Sequence, residues 1–238
     1  AQDLQLKFFN LHLKGIKDSE KKRNQRNFWN ITKNEWNSKR SKLEPKSYQW
    51  SLISNGSACF NGSEGKLVKD KEGNGWFELV HDPWRPVPSV GGHLSQNPGP
   101  SDRKTIDTRF DVATFSTPSL TKEIFLEGLS SLEFICHSDQ EGFDLCVALS
   151  IVSKDKKNVS QISTGFLRIL GKEAKEPIRR KVDLQPICAT VHEQEQLRVS
   201  IAGSCWPAIA INPGNRDIPC GPVDADSLII TLKVKSCQ

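Results

Sequence analysis

The sequence predicts an all-β protein folded as a jelly-roll β-sandwich, with one short helix near its N-terminus. Between positions 143 and 151, every odd-numbered residue is large and apolar, and every even-numbered residue is small or polar. Side chains alternate across a strand, so this spacing gives one apolar face. The same two-residue period recurs at 197–201 and at 228–234. Because such strands must bury one face against a second sheet, the pattern predicts an antiparallel sandwich.

Composition agrees with this fold class. The chain has 238 residues, with 16 glycines and 13 prolines that suit many turns. Its net charge of +5 is mild, and much of it lies in the basic run 17–26. That run has no interleaved aromatic residue, so we interpret it as a solvated turn rather than a nucleic-acid surface. No apolar run is long enough to span a bilayer, and we therefore expect no membrane partner.

The seven cysteines are an odd number, and none forms a C-x-x-C pair. We interpret them as reduced thiols of a cytoplasmic protein rather than a disulfide framework. Cys146 lies inside the apolar alternation, where it acts as a small hydrophobic residue. Without paired spacing a metal site is not expected. The sequence also gives no motif for a cofactor.

Taken in order, the chain begins with a helical pattern at 3–14, which Gly15 is suited to end. Short strands are predicted at 27–32 and 48–53, and a surface loop or frayed hairpin at 55–75. The stretch 80–92 holds three prolines, which fix φ and remove backbone donors. It cannot be a central strand, and we interpret it as a rigid linker.

Four punctuated segments carry a family resemblance. They are Asp-Pro-x-x-Pro-Val-Pro-Ser-x-Gly-Gly at 82–92, Asp-Thr-Arg-Phe-Asp-Val-Ala-Thr-Phe at 107–115, Ser-Thr-Gly-Phe-Leu-Arg at 163–168, and Ala-Gly-Ser-Cys-Trp-Pro at 202–207. Their content and order resemble the C-terminal, galactose-binding-domain-like jelly roll of the cocaine-esterase and X-prolyl dipeptidyl-peptidase group of serine hydrolases. The resemblance covers residues 76–238 well and 1–60 more loosely.

The resemblance implies two units. Residues 1–45 would be the tail of an α/β-hydrolase domain and the crossover from it, and residues 46–238 the jelly roll. The family's catalytic serine, aspartate and histidine belong to the hydrolase domain, so His12 is not expected to be catalytic. The partner implied is that missing domain, and a homo-oligomer is an open alternative. The chain contains no methionine, so we expect either an excised fragment or methionines missing from the sequence.

Motif searches are consistent with a chain that carries no catalytic residue. No G-x-S-x-G nucleophile elbow is present, and His192-Glu-Gln-Glu-Gln196 lacks the second histidine of H-E-x-x-H. The resemblance implies that the parent cleaves esters or amides by acyl transfer, on an acyl ester or an Xaa-Pro peptide. This chain alone is expected to be inactive.

Three residues are the predicted contacts with the missing domain: Trp84, Arg85 and Trp206. In that position they would help to shape the substrate pocket. A second hypothesis is an independent carbohydrate-binding module, because jelly rolls bind sugars and six tryptophans could stack on them. Arg168 is expected to form an ion pair or to be simply exposed rather than to act in catalysis.

Overall fold

The computed structural model describes residues 2–16, 28–37, 48–69, 74–93, 95 and 97–212. Helix α1 spans Gln2–Leu13. The described strands are β1 (Phe28–Asn30), β2 (Glu35–Asn37), β3 (Trp50–Gly56), β4 (Lys66–Lys69), β5 (Asn74–Phe77), β6 (Ser101–Asp102), β7 (Val112–Ser116), β8 (Ile124–Gly128), β9 (Ser131–Cys136), β10 (Gly142–Val152), β11 (Val159–Leu170), β12 (Ile178–Asp183), β13 (Ile187–Val191) and β14 (Gln196–Ala202).

The main sheet has the order β5-β3-β4-β7-β14-β10-β11-β6. Strand β10 is an internal strand of this sheet and pairs antiparallel with β11 on one side and with β14 on the other. The pairs β9–β12 and β8–β13 form the opposing layer. One continuous core joins Leu145 of β10 to Phe134, Val182 and Val191 of that layer. The predicted all-β sandwich is therefore confirmed.

The alternating residues of β10 lie in two different environments, one on each face of the strand. Phe143, Leu145 and their odd-numbered neighbours form the inner face, which packs into the sandwich core. The even-numbered residues form the outer face, and they too are buried along the whole strand. Small and polar residues are buried only when something covers them, so a further layer lies outside the sheet.

Two segments cover the outer face: the described residues within 81–93 and 97–108, which begin in the proline-rich stretch, and a strap, residues 203–212. Between them and the sheet lies a second, smaller hydrophobic core, which consists of Val87, Ile106, Val112, Cys146 and Ala202. A polar network lies beside it. Arg103 is 3.2 Å from Asp107 and donates a 2.7 Å hydrogen bond to Gln161, and Ser200 donates to Asp107 at 2.9 Å.

The predicted N-terminal helix is confirmed, and Gly15 follows it with a φ of +66°, which favours glycine. No residue of α1 is buried against the rest of the described chain. Of the two alternatives predicted for 55–75, the hairpin is observed rather than a surface loop, because β4 lies within this stretch and pairs antiparallel with β3. Leu67 supplies the reason: it is buried in the sandwich core, so packing overrides the polar local sequence. The predicted strand at 228–234 and the basic run 17–26 lie outside the described residues.

Candidate domain interface

The proline-rich segment presents Trp84 and Arg85 on a tight turn. The backbone N–H of Trp84 donates to Asp82 Oδ1 at 2.9 Å, and that of Arg85 donates to the Asp82 carbonyl at 3.1 Å. These two bonds fix the turn without using the side chain of either Trp84 or Arg85. Trp84 is 62% exposed. A large aromatic side chain is thus held on a defined backbone but buried by nothing in the described chain.

Arg109 ties this turn to the start of β7. Its guanidinium contacts both oxygens of Asp111, at 2.7 and 2.6 Å, and also donates to the Arg85 carbonyl at 2.7 Å. The hydrogen bond to Asp111 raises the pKa of Arg109, so its guanidinium stays protonated. Phe110 lies between the two paired residues and is 71% exposed. The ion pair therefore fixes the backbone on both sides of an exposed ring.

A second ring adjoins Phe110. The Phe60 ring centroid lies 6.1 Å from that of Phe110, and Phe60 is 67% exposed. Phe60 belongs to a turn in which its N–H donates to the Ser57 carbonyl at 2.9 Å. The two rings form a small apolar surface beside the Arg109–Asp111 pair.

Trp206 lies on the strap and joins the same region through its backbone. Its N–H donates to the Val87 carbonyl at 2.9 Å, and its carbonyl accepts from Ser89 N at 2.6 Å. The Trp206 side chain is 48% exposed, so it is not buried in the core. We use the term interface patch for Phe60, Trp84, Arg85, Phe110 and Trp206.

The strap itself is anchored by charge. Arg168 contacts both oxygens of Asp144, at 3.0 and 2.8 Å, and these two residues are register partners on β11 and β10. Asn212 donates to Asp144 at 2.6 Å, and Arg168 also donates to the Ala210 carbonyl. The predicted ion pair of Arg168 is confirmed. It lies within the sheet and holds the strap.

A family model describes this arrangement in sequence terms. The model for the X-Pro dipeptidyl-peptidase C-terminal non-catalytic domain matches residues 14–229. The chain belongs to this family. No curated protein matches the sequence at a significant level.

Solved structures share the fold of this non-catalytic domain. An aminopeptidase from a marine-sediment Thaumarchaeota archaeon superposes with a TM-score of 0.71 at 16% identity, over 99% of this chain and 42% of that one. An α-amino acid ester hydrolase gives 0.71 at 19%, over 96% and 41%. A CocE/NonD family hydrolase from Staphylococcus aureus gives 0.58 at 14%, over 99% and 44%. The chain thus spans about two fifths of the length of these proteins.

Two described histidines lie in different surroundings, one at the surface and one buried. His192 Nδ1 lies 2.9 Å from Glu123 on the surface. His81 is buried, and that burial lowers its pKa despite three nearby aspartates. In the ranges that the structure describes, no cluster of three or more histidine, cysteine or acidic side chains could hold a metal. Within the same ranges, no helix is long and apolar enough to cross a membrane.

The sequence predicts a domain contact for Trp84, Arg85 and Trp206. In the structure, Trp84 and Arg85 lie on the proline-rich segment, and the backbone of Trp206 is hydrogen-bonded to that segment. Phe60 and Phe110 are not among the residues predicted from the sequence. A signal for Phe110 was present in Arg-Phe-Asp at 109–111, where an aromatic residue is flanked by opposite charges. Opposite charges on either side of an aromatic residue predict an ion pair that orders the backbone and leaves the ring exposed. For Phe60 we find no comparable sequence signal.

Proposed function

We propose that this chain is the non-catalytic domain of a serine hydrolase of the acyl-esterase or X-Pro dipeptidyl-peptidase type. In this proposal the interface patch packs on the catalytic α/β-hydrolase domain and helps to shape its substrate pocket. The observation that carries it is the exposure of four large aromatic side chains on hydrogen-bonded backbone. The free thiols of Cys59, Cys146 and Cys205 support a cytoplasmic location for the parent protein.

Physical chemistry favours a protein partner for this patch. Aromatic and arginine side chains dominate binding energy at interfaces, where they fill desolvated pockets. Arg85 makes no hydrogen bond or ion pair through its guanidinium with the residues that the structure describes, so it is available for a carboxylate of the partner. The backbone beneath the patch is already ordered by Arg109 and Asp82. Little conformational entropy would therefore be lost when the domains associate.

The domain division is also part of the proposal: residues 1–45 as hydrolase tail and crossover, and 46–238 as the jelly roll. The exposed apolar residues of α1 fit a helix whose natural neighbour is another domain. Among them, Leu4 is 65% and Leu13 is 76% exposed. The β1–β2 hairpin fits a crossover, because Ile31 N donates to the Cys188 carbonyl of β13 at 2.9 Å. It thereby attaches the N-terminal segment to the sandwich.

The test compares two tryptophan variants of the full-length parent enzyme. Trp84→Ala lies in the interface patch, and Trp36→Ala is the matched control, an exposed tryptophan (59%) on the β1–β2 hairpin. We expect Trp84→Ala to raise KM for an acyl ester and an Xaa-Pro substrate several-fold, and Trp36→Ala to leave both unchanged. Equal kinetics in the two variants would refute a role for the patch. Ester hydrolysis by the 238-residue chain alone would refute its non-catalytic assignment.

A second candidate function is carbohydrate binding, and the Trp29–Trp36 pair favours it. These residues face each other across the hairpin with ring centroids 5.2 Å apart and are 39% and 59% exposed. Sugars stack on exposed aromatic rings held by rigid backbone. Thr190 holds the hairpin, accepting from Asn30 Nδ2 at 3.0 Å and donating from its own N–H to Thr32 at 2.7 Å.

Tryptophan fluorescence separates the two functions. A glycan ligand should quench or shift the emission of the wild-type chain, and Trp36→Ala should abolish that response while Trp84→Ala retains it. No response to a panel of oligosaccharides would leave the domain interface as the function, whereas a response lost in Trp84→Ala and retained in Trp36→Ala would place glycan binding at the interface patch and count against a domain contact there. Homo-oligomer formation is an alternative use of the patch, and sedimentation of the Trp84→Ala chain would detect its loss.

A further inference from the structure

Two thiols meet beneath the strap. Cys146 lies on the outer face of β10, opposite Ala202 in the register with β14, and Cys205 follows Ala202 by three residues. Cys205 packs against the hydrophobic cluster that contains Cys146, and both residues line one small cavity. Both side chains belong to the smaller hydrophobic core or pack against it. The fold therefore brings together two cysteines that are 59 positions apart in the sequence.

The two sulfurs differ in their surroundings. Cys146 is buried, and the neighbouring Cys205 thiol together with burial raises the pKa of its thiol well above the ordinary value. Cys205 is only partly buried, and the Cys146 thiol, helped by Arg103, lowers its pKa although burial opposes this. Cys205 is therefore both the more accessible sulfur of the pair and the one that more readily becomes a thiolate. The thiolate is the nucleophilic form of cysteine.

A small cavity opens onto the pair. It has a volume of about 50 Å³, and both cysteines, Arg103 and Thr164 line it. That volume is enough for at least one water-sized molecule. A water-sized molecule can therefore occupy the space beside the two cysteines without displacing the strap.

Other described cysteines lack this combination. Cys59 is buried and makes a hydrogen bond to the Glu78 carbonyl, and burial raises its pKa to about 12. Cys136 and Cys188 are also buried. Among the described thiols, Cys205 alone is partly exposed. Reactivity toward a small polar oxidant should therefore be greatest there.

We propose that Cys146 and Cys205 form a hydroperoxide-sensitive thiol pair that closes to a disulfide between β10 and the strap. The Cys205 thiolate attacks one oxygen of the peroxide, forming an S–O bond as the O–O bond breaks, and the departing hydroxide leaves as water after protonation. The sulfur of Cys146 then attacks the sulfenic sulfur of Cys205. That step forms the S–S bond, and the Cys146 proton leaves with the hydroxyl group as a second water. The two thiols lose two electrons, and the peroxide gains them.

Closure would have a structural consequence next to the interface patch. The disulfide would join Cys146 of β10 to Cys205 of the strap, which immediately precedes Trp206. Because it would cross-link a long loop of the unfolded chain, it should also raise the thermal unfolding temperature. Dithiothreitol should reverse that shift.

The experiment treats the full 238-residue chain with stoichiometric hydrogen peroxide and maps its disulfides by mass spectrometry under non-reducing conditions. We expect a cross-linked peptide pair containing residues 146 and 205, which disappears on reduction. In Cys146→Ser, a sulfenic-acid probe should label Cys205, because the resolving thiol is absent. In Cys205→Ser, Cys146 should remain reduced. Cys188→Ser, a buried cysteine elsewhere, is the matched control and should retain the 146–205 bond.

Three results would overturn the proposal. One is a wild-type chain whose thiols at 146 and 205 stay reduced after exposure. Another is preferential oxidation of Cys59, Cys136 or Cys188. The third is a disulfide from Cys205 to Cys220 or Cys237, which lie outside the described residues. The wild-type map decides the matter even if a serine variant fails to fold.

Discussion

The two faces of β10 are buried by different means. The inner face is wholly apolar and packs against β9, β12 and β13 in the sandwich core. The outer face carries Asp144, Cys146, Ala148 and Ser150, and the proline-rich segment and the strap cover it. The inner face is stabilised by apolar burial, which is non-directional. The outer face is stabilised by a smaller hydrophobic core together with directed contacts, such as the two hydrogen bonds between Arg168 and Asp144.

In the proposed arrangement, the sandwich core and the interface patch lie on opposite sides of one strand. Apolar burial tolerates only shape-preserving changes, so the inner face is suited to a fixed core. The outer layer consists of irregular backbone held at a few points, and it carries Trp84, Arg85 and Trp206. Binding residues are commonly positioned by loops on a rigid sheet. The comparison therefore predicts that substitutions lower the free energy of unfolding most on the inner face, less where the strap is anchored, and least at the interface patch.

The largest effect is expected on the inner face. Leu145 is fully buried, and Leu145→Ala should lower the free energy of unfolding by about 3–4 kcal/mol, since it removes apolar contacts and leaves a cavity. Urea denaturation measures this. Leu129→Ala is the matched control, because Leu129 is 77% exposed, and it should have little effect. Equal losses in the two variants would contradict the assignment of the core.

A smaller effect is expected where charge holds the strap. The Asp144 side chain is 2% exposed and that of Arg168 is 26% exposed. Asp144→Asn should cost about 2 kcal/mol, because it weakens the hydrogen bonds from Arg168 and Asn212 while leaving Arg168 partly buried. Asp155→Asn, at an exposed turn, serves as control and should be silent in the same denaturation experiment. A silent Asp144→Asn would mean that the strap is held by other contacts.

Acid should also loosen the outer layer. His81 lies beneath the strap, close to Gly203, and burial lowers its pKa from the usual 6.5. Below pH 6.5 the unfolded chain therefore binds a proton that the folded chain resists, so stability should fall as the pH drops from 6.5 through the lowered pKa.

Thermal unfolding at pH 7 and pH 5 measures this linkage. His81→Gln should flatten the pH dependence, whereas His93→Gln, at an exposed histidine, should not. An unchanged slope in His81→Gln would show that the carboxylates near His81 offset its desolvation.

The smallest stability effect is expected at the interface patch. Trp84→Ala and Arg85→Ala should each change the free energy of unfolding by less than about 0.5 kcal/mol, because these side chains are exposed in the isolated domain. Calorimetry on the 238-residue chain checks this. A loss comparable to that of Leu145→Ala would mean that the patch belongs to the core rather than to an interface.

The inner face could be predicted from sequence because a two-residue period of large apolar residues has one physical solution. The burial of the outer face could not be predicted, since Asp144, Cys146 and Ser150 are equally compatible with a face exposed to solvent and with a face covered by another segment. Trp84 and Arg85 could be predicted to lie outside the sheet, because the prolines beside them exclude their segment from a central strand. The pairing of Arg109 with the Arg85 carbonyl depends on residues 24 positions apart, which no local pattern encodes. The same holds for the contact of Cys146 with Cys205.

Hydrogen exchange on addition of the separately expressed catalytic domain tests the central claim most directly. The account predicts slowed exchange at 58–60, 82–89, 109–111 and 205–207, with the β1–β2 hairpin turn at 31–34 unchanged. Trp84→Ala should weaken that protection. Protection confined to the hairpin, or none at the interface patch while the two domains form a complex, would contradict it.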